Sequence, residues 1–296
     1  MRIWLMAARP RTLPAAIAPV LVGSAAAVAN QDFDFRSGAF AAALAGSIFI
    51  QIGTNLANDY SDAKRGADTV DRLGPVRVTA SGLVAPRSVL VATWLAFAVA
   101  VGCGIYLATV AGPIILAVGA ASILAGVLYT GGPRPYGYAG LGELFVFLFF
   151  GLVAVNGSYY VQVEELDWLP FGLSISVGCL ATAILVVNNV RDLETDRRAG
   201  KNTLAVRLGR ERTRRLYLAL LVVAYMALPI TLCVAGGDSG RWLAMLGFLS
   251  LPLAVPPTRA VMARTDGPSL NGALAGTGML LGAFSVATAV GLLAAA

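Results

Sequence analysis

Two short stretches carry the residues that could do chemistry in this chain of 296 amino acids: "NLANDYSDAKRGADTVDRLGPVR" at 55–77 and "NNVRDLETDRRAGKNT" at 188–203. In the first, Asn55, Asp59 and Asp62 fall at i, i+4 and i+7, one face of a helix, and Asn58 and Asp62 are four apart. In the second, Asn188, Asp192 and Asp196 fall at i, i+4 and i+8. Each stretch follows a long apolar run, so each reads as a helix end presenting amides and carboxylates in a column. Like charges four apart destabilise a helix, and polar groups near membrane depth are expensive. A divalent cation would offset that repulsion best. The ligands offered are all oxygen, from Asn58, Asp59, Asp62, Asp68, Asp192 and Asp196, which favours Mg²⁺, with Mn²⁺ possible, over zinc or copper.

Mg²⁺ usually takes one or two carboxylates and fills its octahedron with water and phosphate oxygens. Around the two columns stand Lys64, Arg65, Arg72, Arg77, Arg134, Arg198 and Lys201. Together they suggest a Mg²⁺–diphosphate site in which metals bridge carboxylate to phosphate and cations take the remaining oxygens. Lys201 and Arg77 are positioned by turn chemistry, beside Gly200 and Pro75 respectively. A third segment, "YTGGPRPYGYAGLGE" at 129–143, lies between the columns and could add phosphate donors from Arg134 and Tyr136.

The elements that must hold these residues are membrane helices. The chain is 57% hydrophobic and only 13% charged, with mean hydropathy +0.75, where a soluble domain would carry about 25% charged residues. Apolar runs of spanning length, ~20 residues, lie near 13–29, 38–58, 88–108, 112–129, 140–161, 168–190, 214–235, 241–258 and 272–294. The expectation is an all-α polytopic membrane protein, one domain over 1–296, with about nine transmembrane helices bundled around a cavity on the cytoplasmic side. Two polar loops, about 59–87 and 191–213, interrupt the short turns. With the N-terminus cytoplasmic, 20 of the 22 Lys and Arg fall inside, leaving Arg36 and Arg241 outside. A net charge of +6 then reflects a basic face beside anionic lipid and calls for no nucleic acid. The chain has no histidine, so no His ligand or His base exists. Cys103, Cys179 and Cys233 sit alone in apolar runs and read as packing residues.

Several of these stretches resemble a known family. "NDYSD" within NDxxDxxxxxD (Asn58–Asp68) and DxxxD from Asp192 to Asp196 followed by Gly-Lys-x-Thr resemble the UbiA superfamily of intramembrane prenyltransferases. More narrowly, "ARPRTLPAAIAPVLVG", "DRLGPVR", "YTGGPRPYGYAGLGEL" and "NNVRDLETD" look like its 1,4-dihydroxy-2-naphthoate polyprenyltransferase branch. Gly66 stands where 4-hydroxybenzoate-prenylating members carry the second acid of DxxxD, and the next acid is Asp68.

The resemblance implies a multi-pass cell-membrane enzyme with a cytoplasmic active site. It would transfer a polyprenyl group from polyprenyl diphosphate to dihydroxynaphthoate, releasing carbon dioxide and diphosphate and leading to demethylmenaquinone. Asp62, Asp192, Lys201 and Arg77 would carry catalysis. Asn55, Lys64, Arg72, Arg77, Arg134, Tyr136, Asn188, Arg198 and Lys201 would bind substrate. The alternatives are another aromatic acceptor, such as 4-hydroxybenzoate or homogentisate, and, from a different class, a cation-coupled transporter.

Overall fold

The computed structural model describes residues 2–30, 34–66, 73–74, 76–236 and 239–296. Among these, every regular element is helical. In lipid a backbone must satisfy its own polar groups, and a helix does so within one segment.

The chain runs α1 (Arg2–Ala8), α2 (Pro14–Asn30), α3 (Ser37–Lys64), α4 (Pro86–Ala111), α5 (Ile114–Leu128), α6 (Gly142–Val163), α7 (Trp168–Arg198), the short α8 (Leu204–Leu208), α9 (Arg210–Ala235), α10 (Gly240–Ala263) and α11 (Gly267–Ala294). Seven of these helices are long and apolar enough to cross a bilayer alone. An eighth crossing is the pair Ile3–Thr12 and Pro14–Ala29, bent by 50°. The ninth expected segment is α5, whose 15 residues span ~22 Å. Its ends still reach opposite faces. Ala111 and Ile115 pack with Ala39 and Val161 at one end, while Tyr138, just after α5, touches Asp62 at the other.

Helix α7 is the centre of the bundle: 78% of its apolar window is buried, against 22–56% in the other six. It packs on α9, α11, α2 and α6. Where α6 crosses it, Gly151 lies so close that an added Cβ would stand 2.7 Å from the Gly178 Cα. The stretch of α6 that contains it, Phe147–Val153, is π-helical, and Phe149 and Phe150 there line the interior cavity. Large apolar side chains such as Trp94, Leu95, Val222, Val234, Leu249 and Met279 point outward, as lipid-facing surface requires.

Two boundaries differ from the sequence expectation. Helix α3 continues to Lys64 and α7 to Arg198, one to two turns into what read as loop. Asp59, Asp62, Arg191 and Asp192 there are buried against protein, so polarity ends the apolar run without ending the helix.

Candidate active site

The overrun helix ends matter because they line a cavity. A space of about 370 Å³ opens between α2, α3, α4, α5, α6 and α7, with Leu274 of α11 at its edge. One end is polar: Asn55, Asn58, Asp62, Arg77, Tyr138, Asn188, Asn189, Asp192, Asp196 and Lys201 line it. The rest is mostly apolar, running past Phe145, Phe149, Phe150, Val118 and Gly119 to Leu107 and Val161, with Arg9, Thr12 and Gln51 as a polar group on one wall.

On α3 the column that faces this cavity is Asn55, Asn58 and Asp62. Asp62 is 1% exposed and accepts from three groups: Arg77 Nη2 at 2.8 Å, the Tyr138 hydroxyl at 2.6 Å and Lys201 Nζ at 3.5 Å. Asn58 Oδ1 accepts from the Thr130 hydroxyl at 2.8 Å. Asp59, expected among the metal ligands, does not line the cavity. Its two oxygens accept the backbone N–H groups of Val78 and Thr79 at 3.1 and 2.9 Å. At ~100° per residue it stands ~60° round the helix from Asp62 and ~100° from Asn58, enough to turn it to the loop. Its work is to pin the strand of chain that carries Arg77 against Asp62.

On α7, Asn188, Asp192 and Asp196 all face the cavity. Arg191, counted from the sequence only as a topology charge, is 2% exposed and clamps Asp192 with Nε at 2.8 Å and Nη2 at 2.6 Å. It also donates to Asn188 Oδ1 at 2.8 Å and Asn271 Oδ1 at 2.7 Å. Asn271, on α11, in turn donates to the Leu73 carbonyl at 3.0 Å. Helix α7, α11 and the first polar loop are thereby linked through the Arg191–Asn271 pair.

Lys201 joins the columns. Gly200 takes a left-handed φ of 73°, and the Lys201 N–H donates to the Asp196 carbonyl, which turns the chain back. The ammonium then sits 3.5 Å from Asp62, 3.9 Å from Asp196 and 4.9 Å from the centre of the Tyr138 ring.

Other expected residues lie elsewhere. Lys64, Arg134 and Arg198 are exposed and outside the cavity lining. Tyr136 lines the wall, but its hydroxyl donates to the Ala125 carbonyl at 2.9 Å and its ring stacks on Phe145 at 4.0 Å. Tyr138, two residues on and unforeseen, is the phenol that reaches the acid. Asp68 and Arg72, and Pro75 beside Arg77, lie outside the described residues. Burial holds the Tyr136 phenol above the usual tyrosine range, so it stays protonated as the donor to Ala125.

Among the described residues no group of three acids is closely enough gathered to hold a metal ion alone. The cations Arg77, Arg191 and Lys201 provide the charge balance that the sequence reading gave to a divalent ion. The donor set still fits Mg²⁺: Asn58, Asp62, Asn188, Asp192 and Asp196 offer only oxygens from the side chain, with phosphate and water to complete a shell.

The family model for UbiA prenyltransferases matches residues 16–273. The chain belongs to the UbiA prenyltransferase family. Among UbiA relatives, the 1,4-dihydroxy-2-naphthoate octaprenyltransferase of Mycobacterium tuberculosis is 45% identical, over 97% of this chain and 96% of that protein. The Escherichia coli enzyme of the same name is 40% identical, over 89% of this chain and 86% of that one. A UbiA homolog from Archaeoglobus fulgidus, solved bound to GPP and Mg²⁺, superposes with a TM-score of 0.68 at 16% identity, covering 98% of this chain and 99% of that one. At that identity the likeness speaks for the fold.

Proposed function

We propose that this membrane prenyltransferase moves a polyprenyl group from its diphosphate to 1,4-dihydroxy-2-naphthoate, with Mg²⁺. The observation that carries the reading is the joining of two Asn/Asp columns, from α3 and α7, at the polar mouth of one apolar cavity, with Arg77 and Lys201 between them. The names of the relatives above supply the acceptor.

A diphosphate would add about three negative charges beside Asp62, Asp192 and Asp196. Arg77 and Lys201, already engaged with Asp62, cannot balance them alone. Mg²⁺ held by Asn58, Asp62, Asn188, Asp192 and Asp196 would neutralise the departing diphosphate. Arg77, Lys201 and the Tyr138 hydroxyl are at hand to donate to its oxygens, where negative charge grows as the C1–O bond breaks. The isoprenoid tail lies along the apolar arm past Phe145, Phe149 and Val118. Its walls keep water from the allylic carbon.

The electron-rich ring then attacks C1 at the carbon bearing the carboxylate. The C1–O electron pair leaves with diphosphate, and the new C–C bond forms from the ring. Loss of carbon dioxide returns the electron pair of its C–C bond to the ring and restores aromaticity. The product is a prenylated naphthoquinol, the reduced form of demethylmenaquinone. No proton is removed from the attacked carbon, so a chain without histidine needs no strong base there. With Lys and Arg concentrated at the columns' end, we place this mouth in the cytoplasm of a cell-membrane enzyme.

Incubation of purified protein with a polyprenyl diphosphate, dihydroxynaphthoate and Mg²⁺ should yield prenylated, carboxyl-free product. Excess chelator should abolish turnover, and Mg²⁺ or Mn²⁺ should restore it. Full activity in chelator would sink the metal assignment. Turnover of 4-hydroxybenzoate or homogentisate but not of dihydroxynaphthoate would replace the acceptor.

A further inference from the structure

We infer that Arg9 is the recognition residue for the carboxylate of the aromatic acceptor, held at the break of the first span. This rests on the function proposed above. Among the described residues the cavity is lined by three cations, Arg9, Arg77 and Lys201. Arg77 and Lys201 both contact Asp62, at the diphosphate end. Arg9 belongs to another level. Its neighbours Ala8 and Thr12 are bonded by Asn55 Nδ2, at 3.0 Å to the Ala8 carbonyl and 3.1 Å to the Thr12 hydroxyl. Asn55 lies seven residues before Asp62 on α3, ~10 Å deeper along the helix axis. That is the depth a prenyl C1 and an attacking ring would share below a diphosphate bound at the columns.

The backbone there is unusual. Arg9 has φ 52° and ψ 70°, left-handed and not glycine, immediately before Pro10. A residue preceding proline is driven toward extended conformations, so this one is strained twice over. The surroundings enforce it. The Arg9 carbonyl accepts both the N–H and the hydroxyl of Thr12 at 2.9 Å, and Gln51 Nε2 adds a bond to that hydroxyl at 3.2 Å. Farther along the same face of α3, Ser47 binds the Ala16 carbonyl at 2.8 Å. Ser47, Gln51 and Asn55 thus form an i, i+4, i+8 polar stripe whose bonds all go to the broken span. Strain held this firmly, on a residue lining a reaction cavity, marks a positioned side chain.

The chemistry of the ligand follows. An aromatic carboxylate entering an apolar cavity must replace the water it loses, and a guanidinium fork matches two carboxylate oxygens at once. Pairing with Arg9 stabilises the bound acid and does nothing to help carbon dioxide leave. Its loss therefore belongs in acceptor binding more than in the rate at saturation.

The test varies each substrate in turn for wild type, Arg9→Gly and Arg9→Lys. Arg9→Gly removes the guanidinium while easing the left-handed backbone, so it should fold at least as well as wild type. We expect its KM for dihydroxynaphthoate to rise at least tenfold, its KM for prenyl diphosphate to change less than about twofold, and Arg9→Lys to fall between. Binding of 1,4-dihydroxynaphthalene, the ring without the carboxylate, measured by competition, should be unchanged in both variants. Equal weakening of the acid and the carboxylate-free ring, or an unchanged acceptor KM, overturns the assignment. If wild type itself does not use dihydroxynaphthoate, the proposed function fails instead, and the two failures are told apart in the same experiment.

Discussion

Asp62 is where the columns and the basic loops meet, and single substitutions around it should separate their roles. Asp62→Asn and Asp192→Asn each keep the shape and remove a charge aimed at the cavity, and should lower kcat by more than a hundredfold. Lys201→Ala removes a charged donor worth ~1.5–3 kcal/mol, about one to two decades in kcat/KM for the prenyl diphosphate. Arg264→Ala, at an exposed position whose backbone carbonyl accepts from Arg214 Nη2, should change it by less than about twofold. Kinetics with the diphosphate varied and the acceptor saturating would decide, and equal losses at both positions would reduce the basic loops to a surface field. Tyr138→Phe removes one bond to a carboxylate and should cost tenfold or somewhat more in the same assay. Spacing in the sequence was enough to mark Asn58, Asp62, Asn188, Asp192 and Asp196 as cavity-facing. It could not separate Tyr136 from Tyr138, because which phenol turns to Asp62 depends on one short turn of 3-10 helix, Tyr136–Ala139. Nor could it reveal Arg191, whose burial depends on Asn271, 80 residues away.

At the scale of elements, the legible and illegible parts divide along a physical line. Hydropathy located the nine helical segments, because lipid contact leaves an apolar signature. It misjudged where α3 and α7 stop, because their last turns bury polar residues such as Asp62 and Asp192 against neighbouring protein while other polar residues are exposed. The internal contacts of α7 were equally hidden. Gly178 reads as any small residue in an apolar run, yet it lets α6 and α7 approach at Gly151. Gly151→Val should force these helices apart, costing ~1–3 kcal/mol of overpacking. Thermal unfolding in detergent, at a fixed scan rate, should show a midpoint several degrees lower. Gly157→Ala, also on α6 but with open space where its Cβ would stand, is the control and should leave the midpoint unchanged. Equal shifts in both variants would mean that any added side chain on α6 disturbs the bundle, and the close crossing would lose its special part.

For the whole molecule, the question is which way the cavity mouth faces. The orientation proposed above assigns 20 of the 22 Lys and Arg to inside segments of the sequence, and one of the two exceptions, Arg36, is paired with Glu164 at 2.8 Å. Cations retained near helix ends orient a membrane chain toward the cytoplasm, so the proposed function predicts that both acid columns and the cavity mouth face that side. Under that orientation α5, 15 residues long and shorter than the seven helices that can cross alone, would be a further traverse. Single cysteines placed in a background with Cys103, Cys179 and Cys233 replaced by Ala would read this directly. Arg212→Cys, exposed at the start of α9, should react with a membrane-impermeant maleimide only after the cells are opened. Glu165→Cys, exposed between α6 and α7 on the opposite face, should react in intact cells. Inverted labelling of the two would turn the molecule over and move the diphosphate site outside the cell. Labelling of both in intact cells would place both ends of α7 on one side, which a helix that spans the membrane does not allow.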